Sequence, residues 1–400
     1  MHHLILVPGF FGFGALGKMS YFAGVSEVLS AEFARRGLPV NIVEVPTLPT
    51  ASIRHRAALV LETLGEIARS HEGPLHVIAH STGGLDARLA IAPTASLPTS
   101  VTFTLYDRIR SLVTIATPHF GTPLASFFGS AMGYPLLRMV AAVCISALQR
   151  GRLPLGAAIR LGGVLTRLDD LIGLRDTFTD ELYADLLEDF TEERRQEVIR
   201  FLQGVSQDQS LVFQLTSSGC DLLNACTADP TGVRYGSVVT CGPRPAISTF
   251  VRYGINPYAQ YLYGVYTLLH RVAGLGAGQF FPAPVAAQKP LLERAYGAIP
   301  SHRESDGIVP TLSQVWGEVI HAARADHLDV VGHFGARRPG RVDSDWLPSN
   351  SGFDQAAFNS LWASVAAFVT SEARLEKSGQ PATGTVRTDL DVTEASHRAG

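Results

Sequence analysis

Pro74-Leu75-His76-Val77-Ile78-Ala79-His80-Ser81-Thr82-Gly83-Gly84 is the stretch on which the reading of this chain turns. Leu75 to Ala79 is a short apolar run with the length of a buried strand. It stops at Ser81; Gly83 and Gly84 follow, and Leu85-Asp86-Ala87-Arg88-Leu89-Ala90-Ile91 then reads as a helix. A strand entering a helix through a tight turn with Ser at its apex is a nucleophile elbow. Such a turn strains the Ser backbone, lifts the hydroxyl above the sheet edge and aims the helix N-terminus at it. Small residues flank the Ser because strand and helix backbones crowd there. The pattern is G-x-S-x-G with Ala79 at the first Gly position, which is small enough for that packing. An ordinary strand-to-helix turn has a similar composition, so the rest of the chain must supply a base, an acid and oxyanion donors.

On the N-terminal side, Leu4 to Val7 reads as a buried strand running into Pro8-Gly9-Phe10-Phe11-Gly12-Phe13-Gly14. Loops are usually polar, so this one is expected to line an apolar cleft; no Lys-Ser/Thr follows to make it a phosphate cradle. Ser26 to Arg36 reads as a helix stopped by Gly37, Val40 to Val45 as a strand, and Ser52 to His71 as a long amphipathic helix capped by Ser52. Beyond the elbow, Arg110 to Ala116 is a further strand, ending at Thr117-Pro118-His119-Phe120-Gly121-Thr122-Pro123. Strands alternating with helices give an α/β fold, a mostly parallel sheet with helices on both faces.

The alternation breaks after residue 123. Residues 124–204 read as helical, with segments Leu136 to Leu148, Ala157 to Leu174 and Thr179 to Leu202. This is an inserted layer, either a lid over the site or a fixed helical cap. The core therefore divides into 1–123 and 205–375, with residues 376–400 as a polar tail expected to be disordered. In the second part, Gln209 to Ala225 reads as a helix, Val233 to Cys241 and Gly317 to Ala323 as strands, and Phe353 to Arg374 as a closing helix. Pro243 to Pro300, rich in Gly, Pro, Tyr and Phe, is expected to have little regular structure.

Composition narrows the classes. The 400 residues carry a formal net charge of −3, and no basic run marks a nucleic-acid partner. Met1-His2-His3 leads straight into a strand with no signal-peptide pattern, so a cytoplasmic or mature secreted form is expected. Phe127 to Leu148 is the nearest thing to a membrane span, but it carries Arg138. Cys144, Cys220, Cys226 and Cys241 show no metal spacing; a disulfide among the last three is left open.

A serine hydroxyl needs an imidazole base, and the imidazole needs a carboxylate that fixes its tautomer. Ser81, Asp306 and His327 occur in the chain order Ser, acid, His. Glu304 and Asp329 compete with Asp306 as acid; Asp306-Gly307 is favoured as a tight turn presenting a short carboxylate. His333 is the main competitor of His327, with His302 and His321 behind it. His80 and His119 read as structural. The backbone N–H groups of Thr82, next to the nucleophile, and Phe10, after the first strand, are the candidate oxyanion donors.

Five blocks, 5–13, 79–84, 117–125, 305–309 and 327–329, together resemble the bacterial triacylglycerol lipases of the α/β-hydrolase superfamily, in the family's order. Pro8 departs from a usual His and Ala79 from a usual Gly. The resemblance implies an α/β-hydrolase fold, Ser81 as nucleophile, Asp306 as acid, His327 as base, Phe10 and Thr82 as oxyanion donors, and a lid after the Thr-Pro-His block. It implies hydrolysis of acylglycerols, and with it contact with a lipid surface. A short-chain carboxylesterase or polyester depolymerase would use the same residues, and a non-catalytic binding protein on the same fold would not need all three. No cofactor is required for this chemistry. Many members bind a structural calcium beside the catalytic His. Asp329 matches one ligand position, no second Asp is identified, and His333 stands where a Gln is expected. Asp329 is thus a candidate calcium ligand and no metal site is assigned.

Overall fold

The computed structural model describes residues 1–10, 21–48, 50–101, 106–130, 210–253, 257–275, 280–335, 345 and 347–371. The expected helices of the 124–204 insertion from residue 131 onward, the end of the glycine-rich loop and the tail all lie outside the described residues.

Six strands form one sheet: β1 (His2–Val7), β2 (Val40–Glu44), β3 (Leu75–His80), β4 (Ile109–Ile115), β5 (Arg234–Cys241) and β6 (Glu318–Arg324). Every pairing is parallel and the order is β2-β1-β3-β4-β5-β6. Parallel sheets have both faces covered, which is why these strands read as continuous apolar runs. In β1, Leu4 and Leu6 enter one core while Ile5 and Val7 enter the other. The first core is closed by α1 (Val25–Arg35) and α10 (Gln355–Thr370) through Leu29, Phe33, Leu361, Trp362 and Val365. The second is closed by α2 (Ile53–Ser70) and α3 (Gly83–Ile91) through Val60, Leu64, Ala87 and Ile91. The strand order reverses between β1 and β3. In a doubly wound sheet the crevice at the C-terminal strand ends of that switch point is where a ligand site forms. The loop at Phe10 and the turn at Ser81 both open there.

The remaining described helices are α4 (Pro123–Phe128), α5 (Ser210–Gln214), α6 (Ser217–Cys226), α7 (Ile247–Arg252), α8 (Pro257–Ala273) and α9 (Lys289–Tyr296). Two expectations need correction. The single helix at 209–225 is split, because the Thr216 hydroxyl accepts from the Gly219 N–H at 3.2 Å and starts a new helix. The stretch 243–300 carries three helices instead of irregular chain. In α8 the buried Leu262, Val265, Tyr266, Leu269, Val272 and Ala273 recur at helical spacing. Its tyrosines and Gly264 have weak intrinsic helix preference, and packing overrides it. Cys220, Cys226 and Cys241 carry free thiols. No helix among the described residues is long and apolar enough to cross a membrane.

α10 is capped by Asp354, whose carboxylate accepts from the Ala357 N–H at 2.8 Å. Its Trp362 is fully buried and donates its indole N–H to the Val330 carbonyl at 3.1 Å, tying the helix to the loop after β6. Trp362→Phe keeps most of the apolar contact and leaves that carbonyl unmet. A loss of about 1–3 kcal/mol is expected, read as a lower urea midpoint. An unchanged midpoint would mean that the hydrogen bond contributes nothing net.

Candidate active site

The site assembles at the C-terminal ends of β1, β3, β5 and β6. Ser81 follows β3 with φ of 56°, a left-handed conformation that a serine holds only when its surroundings over-determine it. Its N–H donates to the Ile115 carbonyl at 2.8 Å, and its carbonyl accepts from the Gly84 N–H at 3.0 Å, which turns the chain directly into α3. The glycines beside it are steric requirements. A Cβ on Gly84 would lie 2.1 Å from the Thr117 hydroxyl, and one on Gly9 would lie 2.6 Å from Ser81 Cβ.

The structure brings Ser81, His327 and Asp306 into one hydrogen-bond chain. Ser81 Oγ lies 2.8 Å from His327 Nε2, and His327 Nδ1 lies 2.8 Å from Asp306 Oδ2. A carboxylate only accepts, so Nδ1 carries the proton and Nε2 is left to accept from the serine hydroxyl. Asp306 is fully buried and well satisfied. Its Oδ1 accepts from the N–H groups of Ile308 (2.9 Å) and Val309 (2.8 Å), and its Oδ2 also accepts from Thr240 Oγ1 (2.8 Å) and Gln314 Nε2 (3.2 Å). The Asp306 carbonyl accepts from the His327 N–H at 3.0 Å, so acid and histidine are joined by main chain as well as side chain. Such an array can take a proton from Ser81, hold it as an imidazolium opposite a carboxylate, and return it.

Phe10 lies at the mouth of β1 and packs against an apolar cluster that includes Ile53, Leu85, Ala125, Leu211 and Leu215. Thr82 stands at the start of α3, where the first N–H groups of a helix have no intrahelical acceptor. The competitors of the sequence reading fall elsewhere. Glu304 accepts from the Ser301 N–H, His321 contacts Ser364 Oγ at 3.0 Å, and His302 is exposed at the surface. His333 sits behind Tyr21 and donates from Nε2 to the Tyr21 carbonyl at 3.1 Å. His119 is buried against Trp316 and Thr114.

His80 has a defined place. Its Nε2 lies 2.9 Å from the His327 carbonyl and therefore carries the proton. Its Nδ1 then accepts from the Tyr21 hydroxyl at 2.6 Å, which in turn accepts from the Gly9 N–H at 3.0 Å. Burial, followed by the neighbouring His327, holds His80 well below the ordinary histidine range, so this ring stays neutral beside the other.

Sequence reasoning missed Thr240, Gln314 and Tyr21. A buried glutamine eight residues past an acid carries no pattern by itself.

Asp329, the candidate calcium ligand, is buried with Asp326. Asp326 Oδ1 accepts from the N–H groups of Leu328 and Asp329, its Oδ2 accepts from the Ser349 hydroxyl at 2.6 Å, and Asp329 Oδ2 accepts from the Asp326 N–H and the Ser351 hydroxyl. Calcium takes six to eight oxygen ligands, and these oxygens are already engaged by donors. No group of three His, Cys, Asp or Glu placed to hold a metal ion occurs among the described residues. The residues described do not fit a calcium cage. Burial pushes the Asp326 carboxyl up from 3.8 to about 6, and burial with the nearby Asp326 charge raises Asp329. An acid raised on folding stabilises the fold in its neutral form. That contribution is complete below the unfolded value of 3.8 and is lost as pH rises through about 6. Asp329→Asn removes one of three mutually repelling buried carboxyls, the others being Asp326 and Asp345, so its thermal midpoint should exceed that of the wild type at pH above 7 and the difference should vanish near pH 4. A variant less stable at every pH would refute this.

Residues 55–153, which include β3, the Ser81 turn, α3 and β4, match a family model described as "Putative serine esterase (DUF676)". No curated protein matches the chain. Among solved structures, the chain is similar to lipase 1 from Pelosinus fermentans (16% identity, 93% of this chain and 99% of that one, TM-score 0.49). It is also similar to the Staphylococcus hyicus lipase (14% identity, 92% and 95%, TM-score 0.46). EstA from Clostridium botulinum is a third (19% identity, 90% and 87%, TM-score 0.46). The segment around Ser81 is thus similar to a serine-esterase family model, and it sits on a parallel α/β sheet.

Proposed function

We propose that the protein hydrolyses carboxylic esters, acylglycerols foremost, through an acyl-enzyme on Ser81. His327 Nε2 takes the Ser81 proton as Oγ attacks the ester carbonyl, and the carbonyl oxygen becomes an oxyanion facing the Phe10 and Thr82 N–H groups. The imidazolium, held by Asp306, protonates the departing alcohol as the C–O bond breaks. Water then attacks the acyl-serine, giving its proton to His327, and the carboxylic acid leaves as Ser81 is regenerated. The observation that carries the reading is the continuous 2.8 Å and 2.8 Å chain from Ser81 through His327 to a fully buried Asp306. The apolar packing around Phe10 favours an acyl chain beside it over a charged group.

Ser81→Ala is expected to lose turnover by about 10⁴ to 10⁶, because the members of such a triad act as a unit. A fluorescent alkylphosphonate should label the wild type and not this variant; equal labelling of both would overturn the assignment. His327→Ala should be as inactive as Ser81→Ala, while His333→Ala retains turnover. The reverse pattern would move the base to His333. A p-nitrophenyl ester series run beside emulsified triglyceride tests the substrate. Activity confined to the shortest soluble esters would favour the carboxylesterase reading over acylglycerols.

A further inference from the structure

Among the described residues, Arg56 and Arg88 are buried cations that the mechanism does not use, and Arg56 is the one that reaches the loop after β1. Arg56 lies on α2 with its side chain fully buried, on the helix phase that carries Ile53, Ala57 and Val60 into the interior. Its Nε donates to Asp86 Oδ2 on α3 at 2.8 Å, and both side chains are inaccessible to solvent. A pair serving only to join two helices would end there. Instead the guanidinium turns its Nη2 onto the loop after β1, 2.9 Å from the Pro8 carbonyl and 3.1 Å from the Gly9 carbonyl, with Thr82 Oγ1 at 3.5 Å. Its Nη1 donates to the Leu48 carbonyl.

We infer that Arg56, with Asp86 as its counter-ion, is a positioning residue for the oxyanion site, an inference that rests on the esterase reading. The peptide between Gly9 and Phe10 is planar and trans, so its C=O and N–H point in opposite directions. Fixing the Gly9 carbonyl on Arg56 therefore fixes the direction of the Phe10 N–H. The same glycine is held from its other side, where its N–H donates to Tyr21 Oη at 3.0 Å. Gly9 has no freedom left to rotate between these two anchors, and its Cα lies against Ser81. A cation on the carbonyl end also polarises the peptide and strengthens its N–H as a donor. Asp86 sets the plane of the fork: a planar guanidinium bound to a carboxylate presents its remaining N–H groups in a fixed direction, which a lysine ammonium cannot do.

The test uses the full-length protein. Arg56→Lys keeps the charge beside Asp86 and loses the fork. Its kcat for a soluble ester is expected to fall by about 10² to 10³, the cost of one oxyanion donor, with KM within about threefold of the wild type. A trifluoromethyl ketone, whose hydrated or serine-bound form mimics the tetrahedral oxyanion, should bind more weakly by a factor similar to the loss in kcat/KM. The apparent pKa of the acidic limb of kcat/KM should stay where it is, because Ser81, His327 and Asp306 are untouched. Should Arg56→Lys fail to fold, the double variant Arg56→Met with Asp86→Leu removes both buried charges at similar volume, a replacement that buried pairs often tolerate. It should show the same loss of kcat and of ketone affinity. Turnover and ketone affinity within about threefold of the wild type in either folded variant would overturn the inference. So would unfolding of both, which would make the pair a feature of the fold alone. If Ser81→Ala is as active as the wild type, it is the esterase reading that has failed, whatever Arg56 does.

Discussion

The left-handed backbone of Ser81 is the constraint that the neighbouring structure exists to satisfy. A serine at φ of 56° is held there by its N–H on Ile115, by its carbonyl on Gly84, and by the close approach of Gly9, while Thr117 crowds the neighbouring Gly84. These contacts come from the ends of β1 and β4 and from the start of α3. The sheet order that places β1 and β4 on either side of β3 is therefore what makes the conformation affordable. A turn residue with the same dihedral at an exposed loop would relax.

The electrostatic side of the site follows a parallel logic. Asp306 is fully buried. Two backbone N–H groups, a hydroxyl, an amide and an imidazole all point at its two oxygens. Those donors fill both of its oxygens and fix it against His327. The contrast lies a few residues away. Asp326 and Asp329 sit in comparable burial, face each other, and are pushed toward the neutral form. Environment, not residue type, separates the two kinds of acid.

Much of this was legible in the sequence, for physical reasons that can be traced. β1, β3 and β4 announce themselves because a parallel sheet buries both faces, so Leu4 to Val7 and Leu75 to Ala79 contain almost no polar residue. Ser81, Asp306 and His327 stand in short loop motifs whose small neighbours are dictated by local geometry, and the structure places them in hydrogen-bond contact. What stayed hidden depends on contacts across the chain. Thr240 meets Asp306 from 66 residues away, and Tyr21 meets His80 from 59. Arg56 was readable only as a polar residue in the apolar phase of α2, a signal that needs the structure before it points anywhere. α8 was lost because tyrosine and glycine mask a helix whose stability comes from what it packs against.

The tie between Trp362 and the Val330 carbonyl bears on how the molecule comes apart. α10 is the last described helix. It is anchored at its middle by this bond to the loop that follows His327, and at its C-terminal end by Arg234, which reaches the Phe368 and Ser371 carbonyls. The loop of the proposed base thus shares its local stability with the C-terminal helix, while Ser81 shares its own with the central strands. Partial opening that peels α10 from the sheet would release the histidine loop and leave the serine elbow intact. Hydrogen exchange would then find two cooperative units meeting at the candidate site.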